Sequence, residues 1–181
     1  MVNVYKLKFT VLQQEIMRFL FVRAGESFNA RRMAERLGVS PPAIAKALPE
    51  LEKEGLIKIK KDAESGRLAI ELNRDGAEVI LLKRVENLKL LYESGFVKFL
   101  HDKIPGETAI LFGSYSTGED TVGSELDIAI IGKESKIETK EFEESLERKI
   151  ALHFYPDLKG MDKRLRRDIV NGIVLKGGIE L

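Results

Sequence analysis

The sequence predicts a mixed α+β protein in which two domains are joined by a helix. In the first half, three segments with apolar residues at helical spacing precede two segments in which apolar and polar residues alternate. In the second half, short apolar runs alternate with amphipathic segments. The charge divides in the same way, with about +5 over residues 1–100 and about −4 over residues 101–181. A basic half followed by an acidic half indicates two domains with different tasks.

The composition excludes several classes of site. At 181 residues, the chain is long enough for one large domain or two small ones. The absence of cysteine excludes disulfides, thiolate nucleophiles and cysteine-based zinc sites. The two histidines, His101 and His153, lie far apart in the sequence and argue against a histidine metal cluster. With no run of eighteen apolar residues and no signal-peptide pattern, we expect a cytoplasmic protein without a membrane partner.

The first half predicts three helices and a hairpin. The apolar spacing over residues 9–22 gives the first helix, and Asn29 is placed to cap a short second one. Ser40 followed by Pro41 is typical of a helix start, so the third helix begins there. Residues 56–60 and 68–72 alternate around a turn, which predicts a β-hairpin.

Three helices followed by a hairpin, with Leu37-Gly38-Val39-Ser40 between the second and third helices, resemble a winged helix-turn-helix domain over residues 8–73. The resemblance implies a domain over residues 1–73 that binds double-stranded DNA. In this family the third helix enters the major groove and the hairpin contacts phosphates or the minor groove. The candidate DNA-binding residues that it implies are Ser40, Lys46, Lys58, Lys60, Lys61 and Arg67.

The third helix has few side chains that read bases. Its predicted outer face carries Ala43, Lys46, Ala47 and Glu50, without the arginine, asparagine or glutamine that make paired contacts to bases. Pro49 removes one backbone hydrogen bond and should kink the helix. We therefore expect DNA binding that is driven mainly by phosphates. Winged helices also serve as protein-contact or dimerisation modules, and that alternative remains open here.

Residues 74–95 predict a linker or dimerisation helix that Asn73 caps. Its apolar stripe includes Leu81, Val85 and Tyr92 and is wider than one small domain would cover. The stripe is either the seam between the two domains or a dimer interface. Because winged-helix regulators commonly dimerise through such a helix, the resemblance favours a homodimer.

The second half contains a strand, a tight turn and a pair of acids. An apolar run ends at Gly113-Ser114, and Glu125 and Asp127 lead into the next apolar run. Side chains two apart on a strand share a face, so both carboxylates can point the same way. Two adjacent carboxylates repel unless a cation separates them, and Mg²⁺ is the usual cation when phosphate is the substrate. Gly113 and Ser114 can approach phosphate oxygens through the backbone.

This pattern resembles the signature of the DNA polymerase β-like nucleotidyltransferases, and among them the minimal nucleotidyltransferases. The family has Gly-Ser, ten residues and Asp-x-Asp; here Gly113-Ser114 and Asp127 match, while Glu125 replaces the first aspartate. The resemblance implies a nucleotidyltransferase-like domain over residues 96–181. It implies Gly113 and Ser114 as nucleotide-binding residues and Glu125 and Asp127 as catalytic, metal-binding residues. Mg²⁺ and a nucleoside triphosphate are the ligands it implies.

The third carboxylate of active relatives is missing from its expected position. The family carries it on the strand predicted at residues 150–155, where the best register places Ala151. His153 is on the same face but does not replace an anionic Mg²⁺ ligand, and Asp157 follows the end of the strand. Glu125 also moves its head group by one methylene, about 1.3 Å, which disturbs octahedral Mg²⁺ geometry. We expect nucleotide binding to survive better than transfer.

Three functions remain open. The first is a DNA-binding transcriptional regulator whose nucleotidyltransferase-like domain is a sensor, a scaffold or a slow enzyme. The second is an active nucleotidyltransferase that modifies a protein, as antitoxin-like relatives do, or a nucleic acid. The third is an interaction module without DNA or nucleotide, since fold alone does not determine function. The remaining elements predicted are a helix over residues 133–149, a basic helix over 161–171 and a last strand over 172–175.

Overall fold

The computed structural model describes residues 7–61 and 68–179. Over these residues it is a mixed α and β protein with eight helices and two sheets. The chain divides into two compact units, Met1–Val79 and Ile80–Leu181. The boundary falls within the helix α4, Ala77–Glu93. No helix in the described part of the chain is long and apolar enough to cross a membrane.

The first unit contains three helices and a three-stranded antiparallel sheet in the order β1-β3-β2. Its elements in chain order are α1 (Val11–Val22), β1 (Ser27–Phe28), α2 (Ala30–Leu37), α3 (Pro41–Lys53), β2 (Ile57–Lys61) and β3 (Leu68–Leu72). This is the predicted arrangement, with the short strand β1 added beside the hairpin.

Local capping explains where these helices begin. Thr10 forms a capping box with Gln13 and so starts α1. The Asn29 side chain accepts a hydrogen bond from the Arg32 amide at 2.9 Å. Ser40 Oγ accepts one from the Ala43 amide at 3.3 Å, with Pro41 at the first helical position. The helix starts predicted at Asn29 and Ser40 are therefore confirmed.

The core of the first unit lies between the helices and the sheet. Ile16, Leu20, Ile44 and Leu51 are fully buried in it. Ala47, predicted on the outer face of α3, is also buried, because it lies three residues from Ile44 and four from Leu51 and so shares their stripe. The exposed side of α3 carries Pro42, Ala45, Lys46 and Pro49 instead.

The second unit has a four-stranded sheet in the order β6-β5-β4-β7. The pair β5–β6 is parallel, and the pairs β4–β5 and β4–β7 are antiparallel. After α4 the elements are α5 (Phe96–Lys103), β4 (Thr108–Phe112), α6 (Gly113–Thr117), β5 (Leu126–Ile131), α7 (Lys140–Leu146), β6 (Ile150–Tyr155), α8 (Lys163–Val170) and β7 (Ile173–Lys176).

Two apolar clusters cover the two faces of this sheet. On one face, Leu126, Ile128 and Ile130 pack in a cluster that includes residues of α4, α5 and α7. On the other face, Ile110, Phe112 and Ala129 pack with Ile169 and Leu165 of α8. Because side chains alternate along a strand, Asp127 belongs to the face that α8 covers.

Two predicted helices are wrong in extent. Of the helix predicted over residues 133–149, only α7 forms; Phe142 and Leu146 of α7 pack on the core, and Ile137 packs on it from outside the helix. Asn73 does not cap α4: its side chain donates to the Gly55 carbonyl at 2.7 Å, and α4 begins four residues later. In both cases tertiary contacts determine the boundary rather than local sequence.

Candidate nucleotide site and nucleic-acid interface

The end of β4 brings the glycine of the predicted signature against its aspartate. Phe112 pairs with Asp127 across the β4–β5 ladder. Gly113 has φ of 72°, in the left-handed region that favours glycine. A Cβ on Gly113 would lie 2.9 Å from Asp127 Oδ2. Glycine is therefore the residue that lets the backbone pass this close to the carboxylate.

The turn after β4 is held by its own hydrogen bonds. The Ser114 carbonyl accepts from the amides of Gly118 and Glu119, each at 3.0 Å, and Ser116 Oγ donates to the Gly113 carbonyl at 2.7 Å. Gly118 has φ of 86°, and a Cβ there would lie 2.3 Å from the Ile80 carbonyl oxygen. The half-buried Ser114 is thus fixed in the first turn of α6, directly after Gly113.

A histidine contacts the signature aspartate. His153 Nε2 lies 3.0 Å from Asp127 Oδ1, within hydrogen-bonding distance. The imidazole also packs edge-on against Phe112, with ring centroids 5.5 Å apart. The sequence placed His153 on this face, but did not predict the hydrogen bond, which depends on the parallel register of β5 and β6. One oxygen of Asp127 is therefore already engaged by a protein group.

Glu125 lies apart from this contact. It is exposed, one residue before β5, and lines an open groove of about 470 Å³ whose acidic residues also include Glu143, Glu144 and Glu147. No hydrogen bond joins Glu125 to Gly113, Ser114 or Asp127 over the described residues. Glu143 supports the nearby start of β6, because its Oε1 accepts from the Ile150 amide at 3.1 Å.

The strand beside Asp127 carries no carboxylate at the matching position. Asp127 pairs with Ala151 in the β5–β6 register, as the sequence predicted. Asp157 follows the opposite end of β6, six residues or about 20 Å further along the strand direction. Its Oδ1 accepts from the Lys159 amide at 2.7 Å and so fixes a local turn. Asp157 therefore does not replace the carboxylate that is absent at Ala151.

This set of side chains fits one hard cation better than two. Within residues 7–61 and 68–179, no group of three histidine, aspartate or glutamate side chains is placed to hold a metal. Asp127 supplies one carboxylate, the exposed Glu125 lies in the neighbouring groove two residues before it, and a triphosphate brings further oxygen ligands of its own. The residues present fit a single Mg²⁺ that arrives with a nucleotide, whereas a second ion lacks an anionic ligand.

A buried polar network adjoins the site and was not predicted. Asp120 is fully buried and accepts from Lys83 Nζ at 2.5 Å and Asn87 Nδ2 at 2.7 Å. Arg148 Nη2 lies 3.4 Å from its other oxygen. Asn87 also donates to the Tyr115 carbonyl of α6 at 2.9 Å. Burial and the charge of Asp120 raise the pKa of Tyr115.

The helix α4 buries the side opposite to the one that the sequence indicates. Lys83, Asn87 and Leu91 are four apart on α4, and all three are buried, while Leu81 and Val85 are exposed. The polar residues are thus inside and the predicted apolar stripe is outside. Because lysine is rarely buried unless it is paired, residue type favours the reverse assignment.

The candidate DNA-binding lysines on the hairpin differ in whether they form ion pairs with acidic side chains. Lys58 donates to Asp75, a hydrogen bond that lowers the pKa of that carboxyl. Lys60 lies 2.7 Å from Glu71, and their hydrogen bond raises the pKa of Lys60. Lys61 is exposed and makes no ion pair within the described residues.

The remaining candidates lie on α3 and in the hairpin turn. Ser40 caps α3 with its own hydroxyl and is exposed. Lys46 is exposed on the outward side of α3, where Ala45 and Pro49 are also exposed. Arg67 lies outside the described residues.

Comparison with known families matches both parts of the chain. Residues 93–176 match the model of the nucleotidyltransferase domain, and residues 29–58 match the model of the winged helix-turn-helix DNA-binding domain. Both resemblances identified from the sequence are thereby confirmed. No curated protein matches the chain significantly.

Solved structures similar to the chain include a repressor and a protein–DNA complex. A mutant of ZitR from Lactococcus lactis is 19% identical, with 56% of this chain and 66% of that one covered and a TM-score of 0.42. The adhesin competence repressor AdcR from Streptococcus pyogenes is 20% identical, with 52% and 68% covered and a TM-score of 0.40. The complex of S. aureus MepR with DNA is 19% identical, with 52% and 80% covered and a TM-score of 0.39. The match thus spans about two thirds of ZitR.

Proposed function

We propose that this protein, which joins a winged helix-turn-helix DNA-binding domain to a nucleotidyltransferase domain, is a DNA-binding transcriptional regulator that binds a Mg²⁺–nucleotide and transfers nucleotides poorly. The observation that carries the second half is the pairing of Asp127 with Ala151. Ala151 leaves no carboxylate at the position where the family resemblance expects one, while Gly113, Ser114 and Asp127, which the resemblance assigns to nucleotide and metal binding, are present.

Each residue of the proposed nucleotide site has a distinct role. Asp127 and Glu125 would hold the cation, which when bound neutralises phosphate charge and polarises the phosphoryl group. Ser114 would contact phosphate oxygens, and the bare backbone of Gly113 would leave room for them. His153 limits the strength of the site, because its hydrogen bond uses one Asp127 oxygen that a cation would otherwise contact.

Binding and transfer are to be measured separately. The full chain is incubated with Mg²⁺ or Mn²⁺ and each labelled nucleoside triphosphate, with retention on the protein and covalent transfer scored side by side. We expect metal-dependent binding and little transfer. Asp127→Asn should abolish the metal dependence, Ser114→Ala should weaken binding with less effect on metal, and Asp168→Asn is the matched control on an exposed aspartate.

The outcome also separates the alternatives. Brisk transfer by the unmodified protein would refute the weak-enzyme proposal and favour an active nucleotidyltransferase with a protein or nucleic-acid acceptor. Absence of both nucleotide binding and DNA binding would instead leave an interaction module. Binding of duplex DNA without nucleotide would restrict the second domain to a scaffold.

We propose that DNA binding relies on phosphates and that two lysines contribute most of it. Lys46 and Lys61 are exposed without ion pairs in the described regions, whereas Lys58 and Lys60 each neutralise a carboxylate. Each phosphate contact contributes about 0.9 to the slope of log affinity against log salt. The double variant Lys46→Ala, Lys61→Ala should therefore make this slope shallower for duplex DNA by about 1.8.

The matched control for the lysine pair removes two lysines that are already paired. Lys58→Ala with Lys60→Ala should lower the slope by clearly less, because a phosphate must first displace Asp75 and Glu71. Equal slopes for the two double variants would contradict this ranking. Undetectable duplex binding at low salt would contradict the regulator proposal itself.

We also propose that the chain is a homodimer that uses α4. Leu81, Val85 and Tyr92 are 60%, 66% and 55% exposed along one stripe of this helix. Apolar side chains exposed in a continuous stripe are typical of an interface with another chain. Val85→Glu should convert a dimer to a monomer in sedimentation at tens of micromolar, with Lys98→Glu on α5 as the control at an exposed residue off this helix. A monomeric unmodified protein would assign the stripe to another role.

A further inference from the structure

The helix α8 presents a basic surface within an otherwise acidic unit. Four of its first five residues are cationic, and they are Lys163, Arg164, Arg166 and Arg167. Lys163, Arg164 and Arg167 are exposed and Arg166 is half-buried. The ion pair described among them joins Arg167 to the exposed Asp168 at 3.5 Å. The surface therefore offers three or four cations to solvent, while residues 101–181 as a whole carry about −4.

The fold fixes which way these cations face. Leu165 and Ile169, four residues apart, pack onto Ile110, Phe112 and Ala129 of the sheet. Lys163, Arg164 and Arg167 are off this inner stripe and are exposed, whereas Arg166, three residues from Ile169, is half-buried beside it. Asp162 fixes the helix start, since its Oδ1 accepts from the Arg164 amide at 2.9 Å. The basic surface is thus carried on a helix that is anchored at its start and along its inner side.

This surface lies on the same side of the sheet as the signature aspartate. The cluster under α8 includes Phe112, whose ring contacts His153, and His153 contacts Asp127. The α7 residues that line the groove at Glu125 are by contrast mostly acidic, namely Lys140, Glu143 and Glu144. The cations are therefore concentrated on the layer that borders Asp127.

We propose that α8 is a second nucleic-acid surface, which binds the phosphate backbone of a single strand independently of the winged helix. Exposed arginines on one helix face match the spaced negative charges of a polynucleotide, and arginine pairs with phosphate in a bidentate manner. A strand that lies along α8 borders the Asp127 layer, so the end of such a strand is the acceptor that this surface favours. Only the statement about the acceptor rests on the proposed nucleotide function.

The test uses the full chain without nucleotide, so its failure is distinguishable from failure of nucleotide binding or transfer. Fluorescence anisotropy with an unstructured single-stranded RNA, and with the single-stranded DNA of the same sequence, is measured as a function of salt. Arg164→Ala with Arg167→Ala should make the log–log slope shallower by about 0.7 to 1.4, because each phosphate contact on a single strand contributes about 0.7 and Arg167 must first leave Asp168. Arg164→Lys with Arg167→Lys should keep the slope, since the charges remain.

Two controls separate this surface from other effects. Lys98→Ala with Lys136→Ala removes two exposed lysines of the same unit that lie off α8, and should leave the slope unchanged. Lys46→Ala with Lys61→Ala should lower the slope for duplex DNA and not for the single strand. Poly-glutamate is the probe for an acidic protein partner.

Three results would overturn the proposal. The first is an unchanged slope in the Arg164→Ala, Arg167→Ala variant, and the second is an equal loss in the Lys98→Ala, Lys136→Ala control. The third is binding of poly-glutamate in place of either single strand. Arginine variants that melt at the temperature of the unmodified protein exclude loss of folding as the cause of a lowered slope.

Discussion

The buried carboxylate of Asp120 is the most consequential single group outside the predicted site. Its side chain is fully buried, and the side chains of Lys83 and Arg148 that face it are each 2% exposed. Asp120→Asn keeps the shape and removes the negative charge that both cations face. Removing one partner of a buried ion pair destabilises by about 3–5 kcal/mol, and we take about 3 kcal/mol because the introduced amide still accepts one hydrogen bond.

The expected effect is large enough to resolve in simple assays. A loss of about 3 kcal/mol is a factor of about 10² in the unfolding equilibrium, and it lowers the melting temperature of a domain near 100 residues by about 12–24 °C. The second unit should therefore melt well below its normal temperature. Asp168→Asn is the matched control, because that aspartate is about half exposed and its ion pair with Arg167 contributes about 0–1 kcal/mol.

A second readout tests whether the network positions the site. The loop that contains Asp120 connects α6 to β5, so Asp120→Asn should also weaken Mg²⁺–nucleotide binding at temperatures where the unit is still folded. Lys83→Met should cost less than Asp120→Asn, because Asp120 then keeps Arg148 and Asn87 as partners. A melting temperature for Asp120→Asn within 3 °C of that of Asp168→Asn would refute the reasoning.

Two further predictions concern the signature itself. Gly113→Ala should cost about 1–2 kcal/mol of stability, because Gly113 has a left-handed backbone conformation, and its new Cβ should displace Asp127. The melting temperature and the affinity for nucleotide should therefore both fall. Gly123→Ala is the control and should change neither, because nothing lies within 4 Å of the added Cβ. Glu125→Asp with Ala151→Asp should raise transfer from near zero, because the second change places a carboxylate on the strand position paired with Asp127. If the double variant binds metal more tightly but still transfers no nucleotide, the missing carboxylate at Ala151 is not what limits transfer.

The sequence predicted those elements that are determined by neighbouring residues, namely the helix starts and the apolar strands. Ser40 and Asn29 start their helices as capping residues, and the register that placed Ala151 beside Asp127 followed from two apolar runs. The prediction that Asn73 caps α4 is wrong because its side-chain amide donates to the Gly55 carbonyl, a tertiary contact that the local sequence does not indicate. Boundaries set by contacts between distant segments were therefore the part that the sequence did not predict.

The polar core of the second unit was beyond sequence reasoning for a related reason. Lys83 lies among leucines on α4, and its burial depends on Asp120, 37 residues away. A helical pattern reports which residues share a face, but not which face meets a neighbour. The exposed stripe of Leu81 and Val85 and the buried stripe of Lys83 and Asn87 are therefore equally compatible with the spacing.

The signature residues have structural roles that do not require catalysis. Gly113 is needed because its backbone conformation and its closeness to Asp127 exclude a side chain, and Asp127 is held by His153. Both constraints act in a protein that never transfers a nucleotide. Under the proposed function, the residue that separates a nucleotide-binding protein from an active enzyme is Ala151, which pairs with Asp127 and lies outside the signature. A match to the signature accordingly predicts the architecture of this domain, and the Ala151→Asp variant tests whether the position paired with Asp127 controls its chemistry.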